Sequence, residues 1–237
     1  MLIQMLRRCA VFVCCGVVLA ASPSFATQPA LDQGGLEMQI SFPAEAAMGT
    51  IHVRGKVAAP PEVVWRAVAN LNRWSQWMPM VTESYFFSEA AAKAIPRDAT
   101  KDLAFFQALR NRFPGTMPAP PPTGIATRTS YEAFDLPWPI SNEWVARRYH
   151  FDASQAAQHR YRVSWEKVYD PNEPGSKGYW VLEPYPGDPQ QTLGTYHFEV
   201  TARRGLVLRL LKIGVKSAVT KLFHAIRQQV ENPGVGG

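Results

Sequence analysis

The sequence is poor in charge and, past its first 26 residues, has no cysteine at all. Asp, Glu, Lys and Arg make up 19% of it, below the roughly 25% of an ordinary soluble domain. Its three cysteines, Cys9, Cys14 and Cys15, sit together near the start. The rest of the chain therefore has no disulfide framework, no thiol nucleophile and no thiolate metal site. No apolar run reaches the roughly 20 residues that a membrane-spanning helix needs. No block of Lys and Arg interleaved with aromatics appears, which argues against a nucleic-acid partner. A phosphate-binding Gly-Lys loop, a GxSxG elbow, a GxGxxG turn after a strand, an EF-hand loop and HExxH are all missing. The five histidines, His52, His150, His159, His197 and His224, have no metal-ligand spacing on one helix face. The sequence thus assigns no catalytic residue, no metal and no cofactor.

What is present is apolar and aromatic. Of 237 residues, 46% are hydrophobic and 11% aromatic, with 20 prolines and 16 glycines scattered between apolar runs. Residues 1–26 read as a signal peptide. Arg7 and Arg8 precede an apolar stretch from Ala10 to Ala21, and Ser24-Phe25-Ala26 offers small residues for cleavage near Ala26. The expected location is therefore secreted, in the periplasm; the alternative is that the segment is retained as an N-terminal anchor. Cleavage would leave 211 residues and lower the formal charge from +6 to +4. That charge is compatible with a transient membrane contact.

Residues 27–48 read as a loose N-terminal arm with a short strand near Glu37–Phe42. From Thr50, Ile51, Val53, Gly55 and Val57 alternate with His52, Arg54 and Lys56, the period of a half-buried strand. Pro60-Pro61-Glu62 then opens a helix, with proline in the first turn and an acidic residue at its positive end. A second short helix is expected over Leu71–Trp77. Val81–Phe87 reads as a strand. The segment 88–124 reads as an insertion, with one helix over Asp102–Phe113 and a Pro118–Pro122 run that forbids regular structure. A connection this long suits a lid.

Strands follow over Ile125–Phe134, Trp144–Ala153, Gln158–Val168, Gly178–Leu182 and Thr192–Thr201, spaced as an antiparallel meander. The longest helix closes the domain, over about Arg204–Val230. Leu211, Val215, Ala218, Leu222 and Ile226 share one face, and Arg209, Lys216 and Arg227 another. Gly214, costly inside a helix, suggests a bend or a close approach there. Asn232-Pro233-Gly234 is a stop signal, and 232–237 a flexible tail.

Three segments resemble the START-like superfamily, also called the helix-grip or SRPBCC superfamily, which includes lipid-transfer domains and polyketide cyclases. Val57-Ala58-Ala59-Pro60-Pro61-Glu62-Val63-Val64-Trp65 is similar to the family's strand-to-helix opening. Trp74 to Val81 is similar to its short second helix and exit. Phe134-Asp135-Leu136-Pro137-Trp138-Pro139-Ile140-Ser141 is similar to the LPxP turn of START proteins. Asn142-Glu143-Trp144 stands where many START proteins carry an acidic–Arg pair. The resemblance implies an α+β helix-grip domain over 49–231, a curved antiparallel sheet wrapped around the C-terminal helix. It also implies an internal cavity for a lipid or other hydrophobic small molecule.

The candidate ligand-binding residues are Trp77, Tyr85, Phe87, Trp138, Arg147, Tyr149, Trp165, Tyr196, Leu222 and Phe223. The aromatics suit an apolar pocket as well as a plain core. Arg147 shares an inward face with Val145, Tyr149 and Phe151, so it must be paired or reach the rim. Two roles fit it: holding a ligand carboxylate or phosphate, or a salt bridge to a buried Glu or Asp. Three functions stay open: a carrier of a hydrophobic molecule, a cyclase-like enzyme using the same cavity, and a partner-binding module with a filled core. Oligomeric state is not legible.

Overall fold

In the computed structural model, the described residues are 29–42, 48–95, 103–135, 143–169, 176–201 and 206–231. Residues 1–26, read above as a signal peptide, Trp138 and residues 232–237 lie outside them. Eight strands form one antiparallel sheet: β1 (Leu36–Ser41), β2 (Met48–Val57), β3 (Val81–Phe86), β4 (Gly124–Phe134), β5 (Glu143–Ala153), β6 (Tyr161–Tyr169), β7 (Ser176–Tyr185) and β8 (Asp188–Thr201). Their spatial order is β1-β2-β8-β7-β6-β5-β4-β3. Strands β3 to β8 run as a meander, and β2 pairs with β8 to bring the start of the domain beside its last strand. Six helices complete the described chain: α1 (Pro29–Asp32), α2 (Pro61–Ala69), α3 (Trp74–Trp77), α4 (Glu89–Lys93), α5 (Leu103–Arg112) and α6 (Leu206–Glu231). None of the described helices is long and apolar enough to cross a membrane.

Local chemistry explains most boundaries. Pro60 caps α2 in an extended conformation and Pro61 occupies its first turn, where the missing N–H would have had no partner. Gly187, at φ 86°, makes the tight turn between β7 and β8. Only a glycine adopts that backbone without steric cost. Ser88 caps α4 by accepting the Ala91 N–H at 3.2 Å, a start signal the reading above did not use.

The sheet buries its two faces differently. Helix α6 lies against the inner face, and α2 packs beside it. Between them sits the main core, with Val53, Trp65, Leu71, Phe86, Phe151, Leu182, Phe223 and Ile226 almost fully buried. A second, smaller core lies on the outer face at the β3–β4–β5 end, where Phe106 and Leu109 of α5 cover Tyr85, Phe87, Tyr131 and Ala146. The described part of the 88–124 insertion thus shields the sheet's outer face.

Other expectations change as well. The N-terminal arm is docked: Leu31 and Phe42 are buried, and β1 pairs with β2 along its whole length. Among the described residues nothing would lie within 4 Å of a Cβ at Gly214, so none of them accounts for the glycine by a close approach. Arg227, placed above on one face with Arg209 and Lys216, is half-buried. It donates from Nε to the Lys56 carbonyl at 2.9 Å and from Nη1 to the Gly34 carbonyl at 2.8 Å, pinning α6 to β2 and to the arm. Burial lowers its pKa from the ordinary arginine value. Of the five histidines, His150 faces Thr127 at 3.4 Å and His159 faces Glu62 at 3.2 Å.

Candidate ligand-binding site

Beneath α6, the inner face leaves a cavity of about 190 Å³. Strand alternation supplies most of its wall. Phe134 comes from β4, Tyr149 from β5, Trp165 from β6, Trp180 from β7, and Tyr196 and Phe198 from β8. Val219 and Leu222 of α6 form the roof, and the Met78–Val81 turn borders one side. Met80 in that turn has φ 65°, a left-handed conformation uncommon for any residue but glycine. Its carbonyl accepts the Asp135 N–H at 2.8 Å, which ties the turn to the end of β4. The aromatic wall is continuous. Tyr149 and Trp165 ring centroids are 6.0 Å apart, Trp165 and Tyr196 5.7 Å, and Tyr196 and Trp180 4.8 Å.

One end of this apolar space is polar. Glu132 of β4 is fully buried. Its carboxylate accepts the Arg147 Nη1–H on Oε2. Its Oε1 accepts the Ser130 hydroxyl at 2.7 Å and the Tyr149 hydroxyl at 3.0 Å. Three donors on one carboxylate offset much of the desolvation cost of burying it. Arg147 also stacks over the Phe134 ring, 5.6 Å from its centroid. Burial pulls the Arg147 pKa down, but the Glu132 carboxylate and the neighbouring Tyr149 and Tyr196 hydroxyls more than offset this and hold it above the ordinary arginine value. Tyr149 is pushed well above the ordinary tyrosine value by burial first, then by the Glu132 charge. Tyr196 is raised too, mainly by burial. Arg147 Nε is buried with no hydrogen-bond partner among the described residues.

Of the ten candidate residues, the structure brings Arg147, Tyr149, Trp165, Tyr196 and Leu222 together on this wall. Phe223 is fully buried behind it, against Trp180 at 5.3 Å. Trp77 is half-buried against the main core rather than on the wall. Tyr85 and Phe87 belong to the second core, on the other side of the sheet. They alternate outward while Phe86 alternates inward. The candidates did not include the Met78–Val81 turn, Trp74, Phe134, Trp180, Phe198, the Ala218–Val219 stretch of α6 or, above all, Glu132. Alternation from Phe134 back through Glu132 to Ser130 was the available signal for that glutamate.

A larger hollow, about 500 Å³, lies on the outer face and is more open to solvent. Most of its charges already have partners, and Arg162 lies over the Tyr179 ring, 4.3 Å from its centroid. Arg148 meets Glu166 at 3.0 Å, and Glu199 meets Lys177 and His197, each at 3.1 Å. The inner cavity has the apolar walls and few convergent polar groups that small-molecule sites share. Among the described residues, no group of three His, Cys, Asp or Glu is placed to hold a metal ion.

No family model and no curated protein matches the sequence. Solved structures do match. One is a STAR-related lipid transfer protein from Xanthomonas axonopodis, at TM-score 0.57 and 18% identity, covering 83% of this chain and 94% of that one. Another is the Zhui aromatase/cyclase from a Streptomyces species, at TM-score 0.52 and 12% identity, covering 80% and 99%. A third is a START superfamily protein from Mycobacterium smegmatis, at TM-score 0.50 and 11% identity, covering 77% and 97%. At these identities the likeness shows the fold: a curved antiparallel sheet gripping a C-terminal helix, as in the START-like superfamily.

Proposed function

We propose that this chain uses its START-like helix-grip fold to bind and carry a compact, uncharged hydrophobic molecule beneath α6. The observation that carries the reading is the charge-balanced cluster at one end of an otherwise apolar cavity. Arg147 is already neutralised by Glu132, so a ligand carboxylate or phosphate there would also face the buried glutamate. A hydroxyl or carbonyl oxygen avoids that conflict and gives Arg147 Nε, unpartnered among the described residues, an acceptor. Placing the ligand's oxygen there removes the cost of a buried unmade hydrogen bond.

The cavity's size narrows the ligand. Its roughly 190 Å³ exceeds the ~150 Å³ engineered cavity that takes benzene and falls below the ~300–1,000 Å³ of drug-sized pockets. A single chain or a few fused rings fit that space better than a two-chain phospholipid. Carriage is favoured over cyclase-like chemistry by the cavity's titratable groups. General acid–base catalysis works best with a group titrating near the working pH. The described wall holds no His, Lys or Cys, its tyrosines and arginine are held in their neutral and charged forms respectively, and its carboxylate, Glu132, is already taken up by Arg147, Ser130 and Tyr149. The lipid-transfer and cyclase names of the structural neighbours agree with a hydrophobic ligand. The leader at 1–26 points to action in the periplasm, and the exposed Lys216 and Lys221 of α6 suit passing contact with anionic headgroups.

The test is native mass spectrometry of protein isolated from the periplasm, followed by organic extraction. A stoichiometric neutral, oxygen-bearing hydrophobic molecule is the expected result. A ligand-free mass, with no uptake of straight-chain alcohols, would overturn the carrier reading. An anionic lipid seated at Arg147 would overturn the assignment of an uncharged ligand.

A further inference from the structure

We infer that Phe223 is a specificity-determining residue, setting how far a ligand can extend beneath α6; this rests on the carrier reading above. Gly55 of β2 and Gly194 of β8 are direct register partners, so two adjacent inward positions of the sheet carry no side chain. They form a trough in the inner face. The Phe223 ring fills it from the helix side. A Cβ built on Gly55 would lie 2.5 Å from that ring and 2.6 Å from Leu36, and one on Gly194 would lie 3.5 Å from the ring. Phe223 is fully buried.

The trough adjoins the cavity. Trp180, on the cavity wall, is tilted against the Phe223 ring with centroids 5.3 Å apart. Leu222, the residue before Phe223, and Val219, one helical turn earlier, are the roof. The polar cluster at Glu132 and Arg147 anchors a ligand by its oxygen, so the ligand's apolar end is the part that probes for length. Phe223 and Trp180 stop it. Replacing the benzyl side chain by a methyl group removes six carbons from the trough, room for about four methylenes where the core does not collapse to fill it.

The experiment measures binding of straight-chain alcohols of increasing length to the full domain, read by tryptophan fluorescence of Trp165 and Trp180. Three forms are compared: wild type, Phe223→Ala and Phe223→Leu, each checked for cooperative unfolding. Wild-type affinity should rise about fourfold per added carbon and then break off at a limiting length. Phe223→Ala should move that limit out by about three or four carbons while short alcohols bind as before. Phe223→Leu should move it by about one or two, and it decides the matter where the alanine variant does not fold. An unchanged limit in a folded variant overturns the role of Phe223 and leaves the carrier reading intact. Absence of binding by the wild type at every length overturns both.

Discussion

Arg147 and Arg148 are neighbours in β5, each paired with a glutamate, and they stand on opposite faces of the sheet. Arg147 points inward to the fully buried Glu132, where Ser130 and Tyr149 add hydrogen bonds to the same carboxylate. Arg148 points outward to Glu166 at 3.0 Å, and both side chains are more than half exposed. The outer pair continues across the sheet in a ladder of alternating charge, since Glu166 faces Lys177 and Lys177 faces Glu199. The residue types are the same, but the solvent differs. An exposed pair trades water for a partner at nearly even terms. A buried pair has lost water altogether, so each partner depends on the other. The inner cluster therefore fixes a site, whereas the outer ladder decorates a solvated surface.

Four measurements sharpen or break this contrast. The largest effect is expected from Arg147→Ala or Glu132→Ala, each of which strands a buried charge and should cost about 3–5 kcal/mol in urea unfolding. Arg148→Ala should cost under about 1 kcal/mol, and equal costs on the two faces would end the comparison.

Alkaline pH comes next. The phenols of Tyr149 and Tyr196 hold their protons more tightly folded than unfolded, chiefly because burial disfavours the phenolate. Their contribution is fully present below about pH 10, the ordinary tyrosine value, and is lost as pH rises above it. Thermal melts should show that alkaline loss, and Tyr149→Phe should flatten it; an identical slope in the variant would remove Tyr149 from the account.

Added salt gives a smaller effect. Molar salt shortens the screening length to about 3 Å, so the stability difference between wild type and Arg148→Ala should vanish. The deficit of Arg147→Ala should persist, because its partner is out of reach of ions. The smallest effect lies at acid pH. Hydrogen bonds from His197 and then Lys177 lower the Glu199 pKa. Its contribution is present above the ordinary glutamate value and disappears as pH falls through the lowered one. Glu199→Gln should therefore alter only the acid end of the stability profile, and by little, since its Lys177 partner is exposed and water screens the pair.

Much of the fold was legible because strands and helices leave local periods. Alternation from Ile51 to Val57 marked β2, Pro60-Pro61-Glu62 marked the start of α2, and the three-and-four spacing of Val215, Ala218, Leu222 and Ile226 marked α6. Alternation also placed Arg147 inward and raised a buried acidic partner as one of its two roles. It did not identify that partner. Glu132 lies 15 residues earlier on another strand, and the register of β4 against β5 pairs it with Val145 rather than Arg147. Tyr85 and Phe87 show the same limit from the other side. Their shared face was readable, but two faces of this end of the sheet are buried, and only the placement of α5 shows which of them they join.

The sequence by itself determined most of the element order, the alternation along the strands and the lack of cysteine beyond residue 26. Each of these is set by residues within a few positions of one another. Tertiary structure decided which glutamate meets Arg147, which aromatics reach the cavity rather than the second core, and that Phe223 fills the hollow over Gly55 and Gly194. Those contacts join residues far apart in the chain, and their energy depends on burial, which no local pattern encodes.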